Sequence, residues 1–127
     1  MKPIIFYLDD EQNNLDSFVD MFGDEWEIHT SVTPNDALNA IVKTNPWVVI
    51  SDQRMPEKSG IAFLEAVKDV NPKSLRILST AYSTEDIILD SIRKAMVFDY
   101  VKKPWNPTAL ELTIKVDPSV KTVFLEN

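Results

Sequence analysis

Cysteine is absent from the 127 residues, histidine occurs once, as His29, and glycine twice, as Gly23 and Gly60. Without cysteine there are no disulfides, no zinc–thiolate sites and no thiol nucleophiles, and a cytoplasmic location is expected. A single histidine gives a Ser-His-Asp triad or a His-rich metal site almost no support, and His29 reads as an ordinary strand residue. Two isolated glycines cannot build a phosphate-cradling loop, which argues against a nucleotide-binding domain. Long hydrophobic runs are also missing. The first apolar run covers Ile4 to Leu8 before Asp9, too short for a signal-peptide core, and nothing approaches the roughly eighteen apolar residues of a membrane span. Basic residues number 13 against 20 acids, and the resulting charge of −7 repels a phosphate backbone, so direct DNA binding is not expected.

What remains, 44% hydrophobic and 26% charged residues, is the balance of one globular domain. Apolar runs recur at Ile4-Ile5-Phe6-Tyr7-Leu8, Trp47-Val48-Val49-Ile50, Leu75-Arg76-Ile77-Leu78 and Val97-Phe98-Asp99-Tyr100-Val101, with a weaker one over 26–30. They are continuous rather than alternating, as in strands covered on both faces. Between them, Leu15, Phe18, Val19 and Phe22 follow the spacing of an amphipathic helix that must pack on something. Thr33-Pro34-Asn35-Asp36, Ser83-Thr84-Glu85-Asp86 and Asn106-Pro107 read as helix starts, Asn45-Pro46 and Asn71-Pro72 as stops. Five strands alternating with five helices predict a three-layer, doubly wound α/β fold with a parallel sheet. The last helix, 108–116, runs into Asp117-Pro118, and proline cannot continue a helix interior. Residues 1–116 are therefore expected to form the domain, and 117–127 an extension or the start of a linker.

In such sheets a ligand site lies beyond the carboxyl ends of the strands, where the strand order reverses. The first strand ends in Asp9-Asp10, the third in Ser51-Asp52, the fourth in Ser79-Thr80 and the fifth in Lys102-Lys103-Pro104. Taken singly, each has an ordinary reading as a capping, turn or surface residue; taken together they bring acids, a hydroxyl and a cation to one edge. Crowded carboxylates repel, and must stay partly protonated or recruit a cation. Oxygen-only ligands select a hard ion, with Mg²⁺ the natural occupant. Such an ion beside a lysine and a hydroxyl suits a phosphoryl group, and a carboxylate can itself be the nucleophile. Asp52, on the central strand, is the candidate.

Asp9-Asp10, Ser51-Asp52-Gln53-Arg54-Met55-Pro56 with Gly60, Ser79-Thr80-Ala81, and Tyr100-Val101-Lys102-Lys103-Pro104 together resemble the receiver domain of two-component response regulators, over residues 4–116. The resemblance implies a flavodoxin-like strand order, 2-1-3-4-5, and a phosphorylation-dependent switch rather than an enzyme acting on other substrates. Asp52 would accept a phosphoryl group from a histidine kinase or phosphotransfer protein. Asp10, Asp52 and the Arg54 backbone carbonyl would coordinate Mg²⁺, with Asp9 acting mainly through a metal-bound water. Thr80 would hydrogen-bond the phosphoryl oxygen, Lys103 would pair with it, and Pro104 would aim Lys103. Movement of Thr80 would let Tyr100 turn inward, remodelling the face of the fourth helix, fifth strand and fifth helix for a partner or output domain.

Two rivals belong to other classes. A Mg²⁺-dependent phosphohydrolase of the haloacid-dehalogenase pattern wants Asp-x-Asp, but Asp9 is followed two residues on by Glu11, and Asp52 would have no role. A receiver-like interaction domain that is never phosphorylated would not need the full acid, threonine and lysine set. Arg54 and Tyr82 stand two residues after the acceptor and two after the threonine, positions that flank the path of attacking water in receivers. Both are bulky, so slow self-dephosphorylation is expected. In a decay assay Arg54→Ala and Tyr82→Ala should speed loss of the phosphoryl group, and unchanged decay in both would count against this reading.

Overall fold

The computed structural model describes residues 3–80 and 99–102. Within them the chain runs β1 (Ile4–Leu8), α1 (Gln12–Phe22), β2 (Glu27–Ser31), α2 (Pro34–Thr44), β3 (Val48–Asp52), α3 (Gly60–Val70), β4 (Leu75–Thr80) and β5 (Asp99–Lys102). The strands form one sheet of order β2-β1-β3-β4-β5, and every neighbouring pair is parallel. The doubly wound, flavodoxin-like fold expected from the sequence is the fold observed. The predicted fourth and fifth helices, with Ser83-Thr84-Glu85-Asp86, Asn106-Pro107 and the 117–127 tail, lie outside the described residues.

The continuous hydrophobicity of the strands follows from burial on both faces. Because successive side chains alternate across a sheet, Ile5 and Tyr7 of β1, Val48 and Ile50 of β3, and Leu75 and Ile77 of β4 join Leu15, Phe18 and Phe22 of α1 in one core. Phe6, Leu8, Val49 and Leu78 point the other way, onto Ala37 and Ile41 of α2 and Ile61, Phe63, Leu64 and Val67 of α3. With α1 on one face and α2 and α3 on the other, the winding reverses between β1 and β3. In sheets wound this way, ligands bind beyond the carboxyl ends of the two strands that flank the reversal.

An aromatic train holds α1 in place. Phe18 meets Tyr7 edge-on at 4.9 Å and Phe22 at 4.9 Å, and Phe22 stacks on Trp26 at 4.7 Å. Val19, counted in this face from its spacing, is instead 41% exposed. The buried stripe is Leu15, Phe18 and Phe22, and one residue further round the helix already reaches water.

Asn45 ends α2 in the left-handed conformation, φ 50°, which asparagine tolerates, and Pro46 prevents continuation. Thr33 occupies the N-cap position with Pro34 following, yet its side chain makes no cap bond; its own N–H is bonded to the Ser31 hydroxyl at 3.2 Å. Strand limits shift slightly from the sequence reading. Trp47, 37% exposed, precedes β3 rather than opening it, while β4 continues through Ser79 and Thr80. His29 lies in β2 and pairs with Glu27 at 2.8 Å. Among the described residues no helix is long and apolar enough to cross a membrane.

Phe18→Ala removes the centre of the aromatic train, and a loss of about 3–5 kcal/mol in stability is expected, read from the midpoint of urea unfolding.

Candidate functional site

Carboxylates gather at the winding reversal because β1 and β3 both run out into acids there. Leu8 pairs with Ser51, so Asp9 and Asp52, the next residues, leave adjacent strands side by side. Asp52 closes β3 level with Ser79 of β4. Asp9, Asp10 and Asp52 each present an oxygen, and these lie within 4.8 Å of one another. Asp9 is fully buried, Asp52 is 9% exposed and Asp10 is open to solvent. Two full negative charges about 5 Å apart repel by roughly 3.5 kcal/mol at an effective dielectric of about 20. A cluster of this kind favours whatever neutralises it.

Donors already address Asp9. The Tyr7 hydroxyl donates to Oδ2 at 2.9 Å, the Asn14 amide to the same oxygen at 3.1 Å, and the Glu11 backbone N–H to Oδ1 at 3.0 Å. Tyr7 is fully buried. Its phenol is pushed far above its ordinary range, first by burial, then by the Asp9 charge and the hydrogen bond to it; the Asp52 charge adds, and a hydrogen bond with Ser79 opposes.

The loop after Asp52 is tied down on both sides. The Gln53 N–H donates to the Ser79 carbonyl at 3.2 Å, and the Gln53 carbonyl accepts from Gly60 N–H at 3.0 Å. The Gln53 side chain accepts from Ile61 N–H at 3.0 Å, and the Ser59 hydroxyl caps α3 by accepting from Ala62 N–H at 3.1 Å. Gly60 therefore sits against the Asp52 backbone. A Cβ there would collide with the Asp52 carbonyl oxygen and lie 2.9 Å from Gln53 Cα. Its backbone angle is ordinary, so this glycine is required by close approach, not by conformational freedom.

The structure thus brings together Asp9, Asp10 and Asp52. Arg54 follows two residues after Asp52 with an exposed side chain. Thr80 ends β4, its backbone paired with Lys102, and Tyr100 pairs with Leu78; the side chains of Thr80 and Tyr100, and all of Tyr82, Lys103 and Pro104, lie outside the described residues. Tyr7 and Asn14 were given no role from the sequence, and Gln53 and Ser79 entered only as neighbours of Asp52 and Thr80 in the quoted motifs. One signal was present for Tyr7: it lies two residues before Asp9, on the same face, and a buried phenol seeks a partner.

All-oxygen donors without histidine or cysteine match a hard divalent cation. Octahedral Mg²⁺ at about 2.0–2.1 Å sets its ligand oxygens about 3–4 Å apart, so the three carboxylates fit such an ion with a small closure or a bridging water.

The parallel α/β sheet and the carboxylates at its winding reversal give the class of fold and site, and the sequence gives the family. The chain belongs to the response regulator receiver domain family, which it matches over residues 5–115. It is 28% identical over 115 residues to the hydrogenase transcriptional regulatory protein HoxA of Bradyrhizobium diazoefficiens, covering 91% of this chain and 24% of that one. It is 31% identical over 112 residues to the regulatory protein AtoC of Escherichia coli K12, covering 87% and 24%. The chain spans about a quarter of the length of these curated relatives. A CheY-like receiver domain protein from Methanospirillum hungatei superposes with a TM-score of 0.87 at 23% identity, covering 97% of this chain and 98% of that one.

Two outcomes test this geometry. Gly60→Ala should cost at least about 2 kcal/mol, because backbone must move to admit the methyl group; denaturant unfolding measures it. With the folded phenol of Tyr7 raised above the ordinary 10.0, the unfolded chain loses that proton first. Stability is then full below that value and falls as pH rises above it. Unfolding free energies across the alkaline limb should fall less steeply in Tyr7→Phe.

Proposed function

We propose that this receiver domain is a phosphorylation-dependent switch whose acceptor is Asp52. The observation that carries the reading is the position of the Asp52 carboxylate, at the end of the central strand and within 4.8 Å of the oxygens of Asp9 and Asp10. An Asp52 oxygen donates an electron pair to the phosphorus of a phosphohistidine on a sensor kinase or phosphotransfer protein. The P–N bond breaks, and its pair returns to the imidazole nitrogen. Asp10, Asp52 and the Arg54 carbonyl would hold Mg²⁺, with Asp9 behind them; the ion supplies charge neutralisation for the phosphoryl oxygens. Lys103 pairs with the transferred group and Thr80 hydrogen-bonds it.

The signal follows from those contacts. Thr80 is drawn to the phosphoryl group and Tyr100 turns into the space released, which reshapes the surface offered to a partner protein or output domain. Inverting a mostly inactive population takes about 5.5 kcal/mol of differential interaction. Two or three charge-assisted hydrogen bonds at roughly 1.5–3 kcal/mol each are of that size. Residues 1–116 form the switch in this reading, and 117–127 lead away from it.

Incubation with acetyl phosphate and Mg²⁺ should add one phosphoryl group, and peptide mapping should find it on Asp52. Asp52→Asn and EDTA should each abolish the addition. A label on Asp9 would favour the phosphohydrolase chemistry instead, and no label at all the unphosphorylated interaction domain.

A further inference from the structure

Tyr7 and Asn14 take no part in the phosphoryl chemistry, yet both reach one oxygen. The Tyr7 hydroxyl approaches Asp9 Oδ2 from within the core, and the Asn14 amide approaches it from the first turn of α1. A carboxylate oxygen has about two lone-pair positions. Oδ2 is therefore fully engaged, and whatever Asp9 offers a cation comes from the remaining lone pair of Oδ1, which already accepts from the Glu11 N–H at 3.0 Å. The clamp is rigid: the Tyr7 ring is packed edge-on against Phe18, with an interplanar angle of 71°.

We propose that Tyr7 and Asn14 are positioning residues that clamp Asp9 Oδ2 and so aim Oδ1 at a divalent cation shared with Asp10 and Asp52. This rests on reading the three aspartates as the cation site. The physical reason is preorganisation. A fully buried carboxylate among like charges would otherwise turn away from its neighbours, and the ion would have to reorder it on binding. Partners behind a metal ligand typically carry about 10- to 100-fold in affinity.

Mn²⁺ is the probe, with free ion counted by electron paramagnetic resonance and Mg²⁺ added in competition, on the full chain. Tyr7→Phe keeps the ring and loses the hydroxyl. Asn14→Ala alters a half-buried helix position, and its unfolding in EDTA is expected to stay cooperative at a lower midpoint than wild type, which shows that the variant still folds. Each variant should bind Mn²⁺ about tenfold more weakly. Because both hold the same oxygen, the double variant should lose less than the product of the two. Dissociation constants within about twofold of wild type in both single variants, against that tenfold, would overturn the clamp. If wild type binds no Mn²⁺, or Asp10→Asn binds as well as wild type, the cation reading itself falls and the clamp goes with it.

Discussion

Like charge crowded at the end of two adjacent strands is the constraint around which this receiver domain is arranged. Asp9, Asp10 and Asp52 repel one another, and burial of Asp9 removes the water that would screen them. A fold tolerates that only if donors are built around the cluster or a cation is brought to it. Tyr7, Asn14 and the Glu11 N–H supply donors on one side. The other side, at Asp10, is open to solvent. A cluster held in this condition is sensitive to any change in the local balance of charge, because the sheet around it is rigid.

Rigidity comes from the layers beneath. β1 and β3 are buried on both faces, so the backbones carrying the acids cannot slide without dragging two cores with them. The loop after Asp52 is held by Gln53 on one side and by the contact with Gly60 on the other. In consequence the Asp52 carboxylate is fixed to the sheet.

Much of this was legible in the order of residues. The run Ile4–Leu8 matches β1 residue for residue, since an unbroken apolar pentapeptide ending in two acids leaves little choice. Asn45-Pro46 ended a helix where expected. Val19 was misplaced because helical spacing gives the angle of a side chain, whereas the width of the buried stripe depends on what lies opposite. Gly60 was legible only as part of the motif that follows Asp52; the reason for glycine, the approach of the Asp52 carbonyl, involves a contact eight residues back in the chain. Tyr7 was read as one apolar residue among five. Its hydroxyl gains a role only once Asp9, Asn14 and Ser79 are seen around it.

The sequence by itself determined the class of fold, through alternating strand and helix patterns, and which residue types stand at the strand ends. Hydrophobic period and local turn chemistry are properties of neighbours in the chain, so they survive in a string of letters. Tertiary structure alone decided that Asp9 and Asp52, 43 positions apart in the numbering, leave paired strands together, and which donors hold the Asp9 carboxylate. Those facts depend on strand register and on close packing between distant segments, and neither is written at any single position.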